Sequence, residues 1–155
     1  MSTDTRPSGT TPRTAQIDPR GPRFGAALTT VVLAAALLLA PSPATVALLG
    51  VQTVLFALGA TRGVQRTPYA WLFRTVVRPR LGRPAELEDP GPPRFAQAVG
   101  LGFAVVALAG YVAGADLLGA VATGFALAAA FLNAVLGFCL GCEVYLLLRR
   151  ASATP

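Results

Sequence analysis

The sequence predicts an all-α integral membrane protein: a four-helix bundle of two similar two-span halves, each followed by an interfacial helix. Three observations predict it. Hydrophobic residues make up 54% of the 155 residues and charged residues 13%, with a mean hydropathy of +0.59, too apolar for an ordinary water-soluble domain. The apolar residues gather into four runs, each near the ~20 residues that cross a bilayer as a helix. One motif occurs twice, once before each pair of runs. There is no period-two alternation, and a membrane barrel would need many more spans.

The chain opens with "MSTDTRPSGTTPRTAQIDPRGP" (1–22), which has little to bury and is assigned by composition to a disordered cytosolic arm. The first two spans, "FGAALTTVVLAAALLLA" (24–40) and "ATVALLGVQTVLFALGAT" (44–61), turn through "PSP". In "RTPYAWLFRTVVRPRLG" (66–82), Pro68 suits a first helical position. Tyr69, Trp71, Leu72, Phe73, Val76 and Val77 with Arg74 and Arg78 make the segment amphipathic, an interfacial helix over about 68–81. "RPAELEDPGPP" (83–93) is a polar, Pro-rich linker. Spans three and four, 95–113 and 117–137, turn through "GAD". A second interfacial helix over about 142–150 and a disordered tail, 151–155, complete the chain.

All thirteen basic residues are arginine. Four lie in or beside the arm (Arg6, Arg13, Arg20, Arg23), seven between spans two and three, and Arg149 and Arg150 at the end, while the two tight turns have none. The positive-inside rule therefore puts the N-terminus, the middle segment and the C-terminus in the cytosol. A cleaved signal peptide over 1–40 is the competing reading, with "SPA" as its cleavage site, but the second span begins three residues later, which suits a helical hairpin better. The net charge of +6 does not imply nucleic acid, because the arginines flank apolar spans. With no histidine, Ser-His and Cys-His catalysis and any His-bearing zinc site are excluded within one chain. No charged residue falls mid-span, so an ion pathway lacks its usual mark. Gln52 and Asn133 suit hydrogen bonding between helices.

The repeated motif is "DPRGPRFGAAL" from Asp18 and "DPGPPRFAQAV" from Asp89, offset by 71 and sharing Arg23/Arg94 and Phe24/Phe95. Two spans return the chain to the same side, so a duplication would be parallel. Independent use of a good helix-start signal is the alternative. A later offset of 74 sets Gly63 against Gly137 and Trp71 against Tyr145, and places "QRTP" opposite "CLGC".

Both cysteines lie in "VLGFCLGCEVY" (135–145), three residues apart between glycines. Two glycines in five residues, each costing about 1 kcal/mol in a helix interior, predict a break between Gly137 and Gly141 and a new helix from about Cys142. The break decides the chemistry: at a helix N-terminus a Cys-X-X-Cys closes a disulfide and favours thiolates, whereas mid-helix it fits a disulfide poorly. Glu143 opposes a thiolate, and Arg66 would favour one if packing brought it near. Cytosolic thiols stay reduced, so a persistent structural disulfide is not expected. Three readings stay open: Cys139 and Cys142 as a redox or sulfur-handling pair, as small packing residues, or as half of a four-thiolate metal site completed by a second copy in a homo-oligomer or by a partner. No cofactor or metal is assigned within one chain.

The runs "DPRGPRF", "RTPYAWLFRTVVRPRL", "PPRFAQAVG" and above all "GFCLGCEVY" resemble the bacterial membrane family described as domain of unknown function 4395, over about 18–150. The resemblance implies a small four-span protein of the bacterial inner membrane with no assigned activity, and the company of thioredoxin-like or sulfurtransferase proteins as partners. It carries over no site residue beyond Cys139 and Cys142. The function expected is that of a partner in thiol or sulfur redox chemistry, with Cys142, nearest the helix start, as the reacting thiolate and Cys139 resolving. The alternative is a membrane scaffold or anchor whose cysteines only pack.

Overall fold

The computed structural model describes residues 16–153, so residues 1–15 of the arm and the last two of the tail lie outside the described residues. Part of the segment assigned by composition to the arm is held in the fold. Ile17 is buried and exchanges both backbone hydrogen bonds with Glu88, each at 2.9 Å, tying the start of the chain to the 83–93 linker. Asp18 accepts from the backbone N–H of Arg20 at 3.0 Å and from its guanidinium at 2.9 Å. Those hydrogen bonds, above all the side-chain one, hold the Asp18 carboxyl below the usual carboxylate range. Residues 16–22 therefore belong to the fold and not to a disordered arm. The apolar side chain of Ile17 and the helix-start acceptor Asp18 override the polar composition around them.

Helix α1 (Arg20–Leu38) and helix α2 (Pro43–Arg62) form the first hairpin. Ser42 caps α2 by accepting the Thr45 N–H at 3.4 Å, with Pro43 at the first helical position. The fully buried Thr45 hydroxyl donates to the Ala36 carbonyl at 3.1 Å and so joins the two helices beside their turn. A 3₁₀ turn, Val64–Arg66, leads into α3 (Pro68–Leu72), which continues as a π turn over Phe73–Val77 and a 3₁₀ turn over Arg78–Arg80. The segment expected as one helix over about 68–81 is thus three short pieces of changing pitch. Pro79 lacks the N–H that an α-helix would need there, and Phe73 turns inward against the Phe24 ring, 5.8 Å between centroids.

The second hairpin is α4 (Gly91–Val112) and α5 (Asp116–Leu136), followed by α6 (Leu140–Ser152). The tail's first two residues are thus helical, continuing the last turn of α6. Among the described residues, α1, α2, α4 and α5 are long and apolar enough to cross a membrane, and there is no strand. Helix α1 packs on α5 and α2, and α4 packs on α2 and α5, while α6 lies against α4. Leu33, Ala36, Leu49, Ala107, Tyr111, Ala122 and Ala126 form the core, toward the end of the bundle that carries the tight turns. Small residues let the second hairpin close: a Cβ on Gly110 would lie 2.7 Å from the Gly119 backbone nitrogen. Around the outside, large apolar side chains such as Val31, Val51, Val54, Val105 and Phe125 are exposed.

Candidate functional site

The cysteines sit where α5 gives way to α6, at the arginine-bearing end of the bundle. A helix ends with carbonyls that have no intrahelical partner. Gly137 takes a left-handed φ of +67° and donates its N–H to Asn133 at 3.1 Å, and Phe138 donates to Leu132 at 3.3 Å. The next two carbonyls are met from another helix: Arg23 of α1 donates through Nε to Ala134 at 3.1 Å and through Nη2 to Val135 at 2.9 Å. At the end of α2, Gly63 has φ +94°, and Arg94 of α4 donates to Ala60 and Thr61 at 2.7 and 2.9 Å.

Two residues past Gly137, Cys139 is the N-cap of α6. Its Sγ accepts the backbone N–H of Cys142 at 3.3 Å, the role Thr67 plays for Ala70 at the start of α3, at 3.2 Å. Residues 139 and 142 are 5.2 Å apart at Cα with their sulfurs at disulfide-bonding distance, and there is no free cysteine among the described residues. The two sulfurs come within bonding distance because a capping position turns the first one back over the third residue of the new helix. Both cysteines are half-buried.

The helix start differs from the sequence expectation. It lies at Leu140, so Cys139 and not Cys142 is nearest to it. The reason is local: the Cys139 sulfur itself satisfies one of the first N–H groups, so α6 begins as soon as Gly137 has redirected the chain. The arginine beside the break also differs, being Arg23 rather than Arg66. Its Nη1 lies 3.5 Å from where a Cβ on Gly137 would sit. The sequence marks Arg23 as part of a helix-start motif and of the charge beside the first span, and carries no sign that it reaches the end of α5.

Helix α6 is held on the first turns of α4. A Cβ on Gly141 would lie 2.7 Å from Ala96 Cα and Cβ, so this glycine between the cysteines is what lets the helices touch. Tyr145 packs on Phe95, 5.6 Å between centroids, and the Arg149 guanidinium lies 5.9 Å from the Tyr145 ring centre. No cluster of three cysteine, aspartate or glutamate side chains occurs among the described residues.

A second feature escaped the sequence reading. Between α1, α2, α3 and the start of α4 lies a cavity of about 320 Å³. On its inner wall Tyr69 donates to Gln52 Oε1 at 3.2 Å and Gln52 Nε2 donates to Thr29 at 3.3 Å, so the interhelix bond expected of Gln52 extends to α3. Burial pushes the Tyr69 hydroxyl up from its ordinary value, which keeps it a neutral donor. Residues from four segments build this cavity, and no local motif marks it.

The family model described as Domain of unknown function (DUF4395) matches residues 17–150. No curated protein and no solved structure matches the chain.

Proposed function

The chain belongs to the family Domain of unknown function (DUF4395), and from that premise we propose a multi-pass protein of the bacterial inner membrane whose Cys139–Cys142 pair exchanges electrons with a cytosolic thiol protein. In this reading α1, α2, α4 and α5 span the bilayer, the turns face outward, and both termini, α3 and α6 lie at the cytosolic face. The arginine distribution and the exposed apolar side chains support it.

We read the bundle as two similar halves. What supports this is a set of paired features: Gly63 and Gly137 both end a span with positive φ, Arg94 and Arg23 each cap the other half's second span, and Thr67 and Cys139 each cap the helix that follows. The caps correspond at an offset of 72, so the segment opposite "CLGC" is Thr67–Ala70. One half keeps a hydroxyl and a methyl where the other carries sulfur.

The observation that carries the redox reading is the closed Cys139–Cys142 pair at the start of a 13-residue helix. Negative charge on sulfur is best accommodated at Cys139, which receives a backbone N–H at the positive end of α6. In the reduced protein, the Cys139 thiolate attacks a partner disulfide, forming a mixed disulfide and releasing one partner thiolate, which takes up a proton. The Cys142 thiol loses its proton and attacks Cys139 Sγ, closing the pair and expelling the second partner thiolate. One disulfide is consumed and one formed, and the reverse sequence reduces this protein. A thioredoxin-like or sulfurtransferase protein suits the partner role.

Cys142→Ser, which leaves Cys139 without its resolving thiol, should accumulate a mixed disulfide with a partner on non-reducing gels, and Cys139→Ser should not. If neither variant traps a partner and both grow normally under thiol stress, the redox reading fails. One observation favours a scaffold reading, the close contact of Gly141 with Ala96. Under it, Cys139→Ala with Cys142→Ala leaves abundance and partner binding unchanged.

A further inference from the structure

We infer that the cavity between α1, α2 and α3 is a binding site for a phosphorylated polyol, its phosphate between Arg74 and Arg78 and its hydroxyls against Gln52, Tyr69 and Gln97. The two arginines line the cavity one helical turn apart and are exposed. Arg74 spends Nη1 on the Gln65 carbonyl at 3.0 Å and keeps its other N–H groups. Asp18 also lines the cavity, but its charge is matched by Arg20 at 2.9 Å, so the cavity stays cationic on balance. Arg78 also acts on the Asp18 carboxylate, but Arg20 binds that carboxylate directly, so the forks of Arg74 and Arg78 remain to suit a phosphate.

The inner wall is neutral and hydrogen-bonding. The Gln52 amide, 1% exposed, is bonded to Thr29 and Tyr69, and both Gln52 and Tyr69 line the cavity with hydrogen-bonding capacity beyond these two bonds. Gln97 crosses over Gly59 to line the same space, since a Cβ on Gly59 would meet it at 2.7 Å. An acyl chain placed there would leave those groups unpaired, and a cation would find only Asp18, already paired with Arg20. Hydroxyl groups donate and accept, as this wall does. Phe73 supplies an apolar side against which a polyol's C–H edges pack.

The same chemistry occurs in a free polyol phosphate and in the headgroup of phosphatylinositol-type and phosphatidylglycerol lipids; basic pockets between membrane helices bind such headgroups. The test uses the full chain in phosphatidylcholine nanodiscs. One arm adds myo-inositol 1-phosphate or glycerol 3-phosphate, the other builds phosphatidylinositol or phosphatidylglycerol into the disc, and both are read by thermal unfolding and native mass spectrometry. Binding in the first arm identifies a soluble ligand, and binding in the second alone identifies a lipid.

Arg74→Gln with Arg78→Gln should weaken binding about tenfold or more. Arg80→Gln with Arg83→Gln removes equal charge from the same segment outside the cavity and should weaken it less than about twofold. Tyr69→Phe and Gln97→Leu, which leave the arginines in place, should weaken polyol phosphates but not phosphatidic acid. Equal losses in the two arginine pairs, equal retention of phosphatidic acid by the wild type, or no binding in either arm overturns the assignment. The site is independent of the cysteines, so Cys139→Ser with Cys142→Ser should bind as the wild type does.

Discussion

The two nitrogens of Arg23 that reach Ala134 and Val135 replace donors that the end of α5 cannot supply for itself. A planar guanidinium spans two successive carbonyls, which a lysine ammonium on its flexible stem would not do with fixed geometry. The residue thereby fixes where α5 stops, and with it where Cys139 starts the next helix. Asp18 acts at the start of α1, the helix that carries Arg23. Its folded pKa is depressed from the ordinary 3.8, so its contribution to stability is present in full above that value and is lost as pH falls through the lower folded value. Unfolding followed from neutral pH downward should therefore show wild type more stable than Asp18→Asn near neutrality, with the difference shrinking below about pH 4. A difference that stays constant down to pH 2 would mean that the Arg20 pairing contributes nothing through ionisation.

Helix α6 has no buried residue, and its place in the fold depends on the face it lays on α4. A Cβ on Gly141 would lie 2.7 Å from Ala96 Cα, so an added methyl cannot be relieved by a side-chain rotation. Gly141→Ala should cost about 1–3 kcal/mol in unfolding measurements and should separate Phe95 from Tyr145. Gly124→Ala, where nothing lies within 4 Å, is the matched control and should be neutral or gain up to about 1 kcal/mol from helix propensity. Equal effects at the two positions would show that α6 does not need the close approach. Elements of this kind were unevenly legible in the sequence. The four apolar runs mark the four long helices because hydrophobicity is summed over some twenty residues and survives local exceptions. Helix α1 nonetheless starts at Arg20, four residues before the apolar run, since the Asp18 carboxylate accepts the N–H of its first residue. The break at Gly137 was legible from glycine spacing. Which cysteine caps α6 was not, because that depends on where one sulfur points. The Ile17–Glu88 pairing and the polar cavity each join segments far apart in sequence, and no single segment carries a signal for either.

At the scale of the whole molecule, the starts of α1 and α4 and the ends of α2 and α5 meet at one end of the bundle, and both arginine caps, the cysteine pair and the mouth of the cavity lie there. The proposed orientation makes that end cytosolic. The alternative orientation would place the pair in an oxidising compartment, where a closed Cys139–Cys142 needs no electron-transfer partner to explain it. Sidedness is thus the measurement on which the functional reading turns. After mild reduction, a membrane-impermeant maleimide should label Cys139 and Cys142 in inverted vesicles and leave them unlabelled in right-side-out vesicles. A reporter at the exposed turn, Ala115→Cys in a Cys139→Ser and Cys142→Ser background, should show the opposite pattern. If both reporters label from the same face, α4 and α5 do not form a spanning hairpin. If the native cysteines label from outside and Ala115→Cys from inside, the bundle is inverted and the cytosolic partner is excluded. Labelling of the native pair from inside only is the one outcome that puts its sulfurs within reach of a soluble thiol protein in the cytosol.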